Sequence, residues 1–234
     1  MIGRLATRPA LLPCVLLFAL WAGISAWERR DAWRWFAAGL LFGVSVYTYT
    51  PIRVLIFILP LWMAVVLIHG SARRMWPGVL FAGMGFTAVA LPLIVYGITH
   101  SEVLFGRAAG VLAINMDDGL LAAVRMLALQ AWKVIAMFGG PGLGDTNLRH
   151  NVPGRPAVDW WIAAAAVFGL LMLSRQRRQL GVLFLGLLGL SLFSTMLSEE
   201  APHFARGSGA MLVVFPMAAF GIAESQRQLV RVFQ

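Results

Sequence analysis

The sequence predicts an all-α, polytopic membrane protein, and three observations predict it. Of its 234 residues 60% are hydrophobic and only 12% are charged, whereas a soluble domain covers its surface with roughly 25% charged residues. The apolar residues come in successive runs, most of a length that crosses a hydrocarbon core of about 30 Å. The short links between the runs carry most of the 18 arginines, the distribution that cationic links retained on the cytoplasmic side produce.

That distribution also accounts for the net charge of +9. Membrane topology and anionic headgroups explain it, so membrane lipids are expected partners and nucleic acid is not. A single cysteine, Cys14, lies inside an apolar run, which leaves no disulfide framework and no cysteine metal cluster.

The first run, 10–27, follows Arg4 and Arg8 and has the charge pattern of a signal peptide, but six further apolar runs follow it, and it reads as a transmembrane helix. Runs 33–50 and 51–69 are together too long for one crossing, and the break falls at Pro51. Proline disfavours a helical conformation at the residue before it and suits the first turn of a new helix. Run 76–98 is the fourth span, with Pro92 as its kink. Spans 157–174, 180–197 and 208–223 complete a count of about seven in one transmembrane domain.

Between the fourth and fifth spans lies the segment 99–156, with a second apolar run at 119–138. Its polar residues Arg125, Gln130 and Lys133 fall within an arc of about 140° at 100° per residue. The pattern predicts a helix lying in the membrane interface with its apolar face down. With that helix not crossing, the links holding Arg29, Arg30, Arg34, Arg73, Arg74, Arg175, Arg177, Arg178, Arg227 and Arg231 share one side, ten basic residues against three acidic. The N-terminus then lies on the outer side.

Ionisable residues are missing from the middle of all seven runs, which argues against the mid-membrane site of an ion-coupled transporter. They gather instead on the outer side, in three pieces far apart in sequence: YTYTPIR at 47–53, the polar island 139–159, and SEEAPHFARG at 198–207. Arg53 and Arg206 stand where guanidinium groups either grip a phosphate or snorkel to lipid headgroups. His203 is three residues before Arg206 and can serve the same phosphate. Tyr49, Asp145, Arg149, His150 and Glu200 form the walls of the site. Glu199, Glu200 and His203, with His150 or Asp145, offer ligands for a divalent metal, although single residues on separate loops make a weak pattern. Asp117 and Asp118 read as solvated acids before a helix, where the N-terminal dipole favours them. The GGPGLG run lacks the Lys-Ser/Thr of a phosphate-cradling loop and reads as a flexible turn.

GLLFGVSVYTYTPIR, GDTNLRHNVPGRPAVD and SEEAPHFARGSGAMLVVFP, in this order and on one side, resemble bacterial membrane glycosyltransferases of the protein-mannosyltransferase-like type, within the glycosyltransferase C superfamily. The resemblance runs from about residue 32 to 223. It implies a polyprenyl-phosphate-linked sugar as donor, transfer to an acceptor hydroxyl at the outer face of the bacterial inner membrane, and a donor phosphate held by Arg53, His203 and Arg206. The family's catalytic acid follows its first span in an outer loop, with several spans after it. Here the nine residues before the first run hold no acid, so the chain is expected to be the C-terminal portion of such an enzyme, with its catalytic residue unassigned. A non-catalytic membrane protein that binds or moves a lipid-linked glycan is the alternative.

Overall fold

The computed structural model describes residues 8–48, 72–100, 119–140, 142–148, 151–198 and 201–233. Among them all regular elements are helical: α1 (Arg8–Arg29), α2 (Ala32–Thr48), α3 (Ala72–Thr99), α4 (Leu120–Ala136), α5 (Trp160–Gln176), α6 (Arg178–Met196), α7 (Phe204–Gly207), a 3₁₀ turn (Ser208–Ala210) and α8 (Met211–Val232). Pro92 lies inside α3 without ending it.

Four stretches are long and apolar enough to cross a membrane: Leu11–Arg29, Trp76–Thr99, Arg178–Met196 and Phe204–Val232. The expected count of about seven is therefore not reached among the described residues. α2 and α5, expected as spans 33–50 and 157–174, have 17 residues each. At 1.5 Å per residue they reach about 25 Å, short of a core of about 30 Å. The expected span 51–69 lies outside the described residues.

Local chemistry sets the helix boundaries. Arg30 takes a left-handed conformation with φ 55°, which stops α1. The carboxylate of Asp31 then accepts the Trp33 amide at 3.0 Å, the bond by which an N-cap satisfies a donor that the helix itself leaves open. α5 and α6 are separated by Arg177 alone, so they fold back on one another as a hairpin.

Glycines govern the two closest helix pairs. Gly39 of α2 lies against the Ala82 carbonyl and Gly85 of α3 against the Phe36 carbonyl. Gly169 of α5 meets the Met217 carbonyl of α8, and Gly221 meets that of Ala165. Close backbone approach at small residues is how helices associate in lipid, where dispersion contacts replace the hydrophobic drive. The main core joins these pairs through Leu12 and Leu16 of α1, Phe42 of α2, Leu183 and Leu187 of α6, and Leu212 of α8. Outward-facing Leu11, Phe18, Trp21, Met84, Leu171 and Leu185 are exposed, as lipid-facing side chains are in a multi-pass bundle.

The bundle has two unlike ends. At one lie the α1–α2 turn, the α5–α6 turn and the C-terminal turns of α8, with their arginines. At the other, the end of α6 meets the start of α7, and α1 packs against the 3₁₀ turn. The polar island reaches this second end.

Candidate functional site

The site is built from two segments that the sequence separates by dozens of residues. Asp145, in the island, is 2% exposed. Its Oδ1 accepts the Asn147 amide at 2.8 Å, and its Oδ2 accepts the Phe204 amide at 2.8 Å, across 59 residues. One buried carboxylate therefore folds its own turn and fixes the first residue of α7. Charge-assisted bonds of this kind are roughly twice as strong as neutral ones.

The rest of the island holds Asp145 in place. Asn151, also buried, donates its Nδ2 to the Arg155 carbonyl at 2.6 Å and to the Asp145 carbonyl at 3.2 Å. The Gly142 amide donates to the Gly154 carbonyl at 2.7 Å, with both glycines at positive φ, 85° and 76°. Side chains rarely adopt that conformation. The GGPGLG run is thus a turn as expected, but one pinned to the far side of the island rather than a loose one. A Cβ at Gly144 would overlap the Arg155 carbonyl oxygen. At the island's edges, the Ala157 amide donates to the Met137 carbonyl at 2.8 Å, which ties the start of α5 to the end of α4.

Across from the island, hydroxyl groups at the end of α6 organise the link. Thr195, fully buried, accepts the His203 amide at 2.8 Å through Oγ1. Ser194 Oγ donates to the Arg206 carbonyl at 2.9 Å. The Arg206 guanidinium donates from Nη1 to Ser198 Oγ, and among the described residues it forms no ion pair. Its side chain is half-buried, whereas His203 is buried at 7% exposed.

Of the residues singled out from sequence, Asp145, His203 and Arg206 come together at one end of the bundle. Tyr49, Arg53, Arg149, His150 and Glu200 lie outside the described residues, as do Asp117, Asp118 and Glu199. Among the described residues no group of three His, Cys, Asp or Glu side chains stands close enough to hold a metal.

Ionisable residues alone do not reveal Thr195, Ser198 or Asn151. Ser191, Ser194, Thr195 and Ser198 recur at the spacing of one helix face in an otherwise apolar stretch, and that spacing is the signal that finds them. Comparison with protein-family models, with curated proteins and with solved structures returns no match for this chain.

Proposed function

We propose that this polar end binds the phosphate of a polyprenyl-phosphate-linked sugar, and that the chain serves a membrane glycosyltransferase acting at the outer face of a bacterial inner membrane. The observation that supports the reading best is the state of Arg206. Its guanidinium is half-buried at the end of a membrane bundle, oriented by the Ser198 hydroxyl, with no carboxylate among the described residues neutralising it. A planar cation fixed at one nitrogen keeps further N–H groups for a phosphate oxygen, and a fixed donor stabilises charge developing on a departing phosphate without reorganising.

In this reading Asp145 is a positioning residue. Its two oxygens accept the Asn147 and Phe204 amides and so fix the turn that carries Arg206. His203 contributes by holding the turn through its main-chain amide, which Thr195 Oγ1 accepts. Arg53 of the expected phosphate set belongs to the same proposal on sequence grounds alone.

The test is donor binding by the chain in lipid nanodiscs, using a photoreactive polyprenyl-phosphate sugar with the corresponding polyprenol as control. Loss of one charge-assisted contact, about 1.5–3 kcal/mol, makes Arg206→Ala bind the phosphorylated donor about 10- to 100-fold more weakly, with polyprenol labelling unchanged. Equal donor binding by the parent and Arg206→Ala chains would refute the phosphate assignment. Donor binding without sugar transfer to any acceptor would favour the alternative, a protein that carries a lipid-linked glycan.

A further inference from the structure

α4 divides its circumference among three environments. Ala123, Gln130, Val134 and the capping residue Met137 are buried and, at 100° per residue, define a stripe facing the bundle. About 120° round from it lies a sector without a polar residue. There Leu120 is 81% exposed, Leu121 83%, Trp132 66% and Ile135 63%, with Val124 beside them. Arg125 and Lys133, both exposed, are the polar residues of the remaining third, which they share with Met126 and Leu129. Gln130 departs from expectation here: it marks the edge of the polar arc in sequence and faces the protein in the structure. α4 carries no acidic residue.

We infer that α4 docks on the bilayer surface, its Leu120–Ile135 sector immersed at the acyl boundary and Arg125 and Lys133 in contact with anionic phospholipid headgroups. Two features select this occupant. The first is charge: two cations and no acid border an apolar face bearing a tryptophan, the composition that binds an anionic membrane interface. The second is depth. Arg125 and Lys133 are eight residues apart, about 12 Å along the axis. In a crossing orientation anchored by Met137 at the polar end, the exposed Arg125 would face hydrocarbon, where a cation is expensive. With the axis in the membrane plane both side chains reach headgroups together. The inference stands independently of the sugar-transfer reading.

The anchor gives the contact a consequence. Met137 Cε and Thr195 Cγ2 both border Gly207, and the Met137 carbonyl holds the Ala157 amide. The depth of α4 in the interface is thereby tied to the turn that carries Arg206.

The test is nitroxide scanning of the full chain in nanodiscs, on a Cys14→Ser background, with labels at Leu121→Cys, Val124→Cys, Ile135→Cys, Arg125→Cys and Lys133→Cys. Oxygen accessibility should peak at 121, 124 and 135, all at one depth about 5–10 Å below the headgroups. Labels at 125 and 133 should favour a water-soluble relaxer. A depth gradient of about 1.5 Å per residue would show a crossing helix, and dipolar broadening between copies would show a protein interface. Either result overturns the inference. In a separate pair, a label at Val124→Cys should move deeper when phosphatidylglycerol replaces phosphatidylcholine, and Arg125→Gln with Lys133→Gln should abolish that shift. A shift that survives the double substitution would overturn the headgroup contact.

Discussion

Each end of the bundle holds an arginine against a serine, and the two differ in what else the guanidinium meets. At the α1–α2 turn, Arg34 donates to Ser25 and also pairs with Asp31, Nε to Oδ2 at 3.2 Å. Asp31 in turn caps α2. At the polar end, Arg206 donates to Ser198, while the nearby buried carboxylate, Asp145, binds the amides of Asn147 and Phe204 instead. In the first case acid and base neutralise one another and stabilise a turn. In the second the acid binds the backbone, and among the described residues no carboxylate pairs with the guanidinium. Among the described residues, only the second guanidinium stands without a carboxylate partner, which is what the proposed phosphate contact requires.

The comparison is broken most severely at Asp145. Asp145→Ala strips two amides of a charged acceptor in a buried setting, at a cost of about 2–4 kcal/mol. It should lower the thermal unfolding midpoint of the nanodisc-embedded chain and speed hydrogen exchange at the Phe204 amide. Asp145→Asn keeps an oxygen for one amide and should recover about half the loss. Removing the counterpart cap with Asp31→Ala should cost about 1 kcal/mol, because the α1–α2 turn is more open to water. Equal losses at the two positions would mean that the polar end is no more built than an ordinary turn.

Gly144→Ala sharpens the same point without touching a charge. The added methyl collides with the Arg155 carbonyl oxygen, which Asn151 already holds at 2.6 Å, and overpacking of this sort costs about 1–3 kcal/mol. Gly83→Ala, at a helix position with open space around it, should be neutral or slightly stabilising, since alanine favours helix by about 1 kcal/mol. Unfolding midpoints of the two variants give the contrast directly.

Sequence and structure agree where a signal is local. Among the described residues the apolar runs become helices near their expected limits, and the run 119–138 becomes α4 (Leu120–Ala136). Span counting is undecided at α2 and α5, because one turn more or less decides whether 17 described residues suffice. Gln130 shows the limit of angular patterning: an amide at the border of a polar arc can face water or protein, and only the packed bundle decides. The Asp145–Phe204 bond joins a side chain to a main-chain amide across 59 residues, and any residue at 204 other than proline supplies the same amide. The helix-face spacing of Ser191, Ser194, Thr195 and Ser198 marks these hydroxyls as a set, but not what they bind, since a hydroxyl that serves a neighbouring segment is indistinguishable in sequence from one bonded to its own helix.

Arg206→Ala separates function from stability. It removes one hydroxyl contact from a half-buried side chain, so unfolding should change by about 1 kcal/mol or less, while donor binding falls. Arg206→Lys retains charge but not the planar fork, and should bind phosphate more weakly than the parent and better than Arg206→Ala. A variant that lost stability in proportion to binding would make Arg206 a structural residue like Arg34.

Arg34 itself supplies the smallest effect and the most direct control. Its partner Asp31 is an i,i+3 neighbour, with side chains 34% and 42% exposed, so water and salt screen the pair and its contribution is about 0.5 kcal/mol. Arg34→Gln removes the charge, leaves the Asp31 cap on Trp33 intact, and should shift the unfolding midpoint slightly at low salt and not measurably at high salt. Donor binding should match the parent at both salt concentrations, because this arginine stands at the opposite end of the bundle and is already neutralised. A fall in donor binding with Arg34→Gln would mean that net positive charge, rather than the placement of the Arg206 guanidinium, attracts the ligand, and the distinction between the two ends would lose its functional meaning.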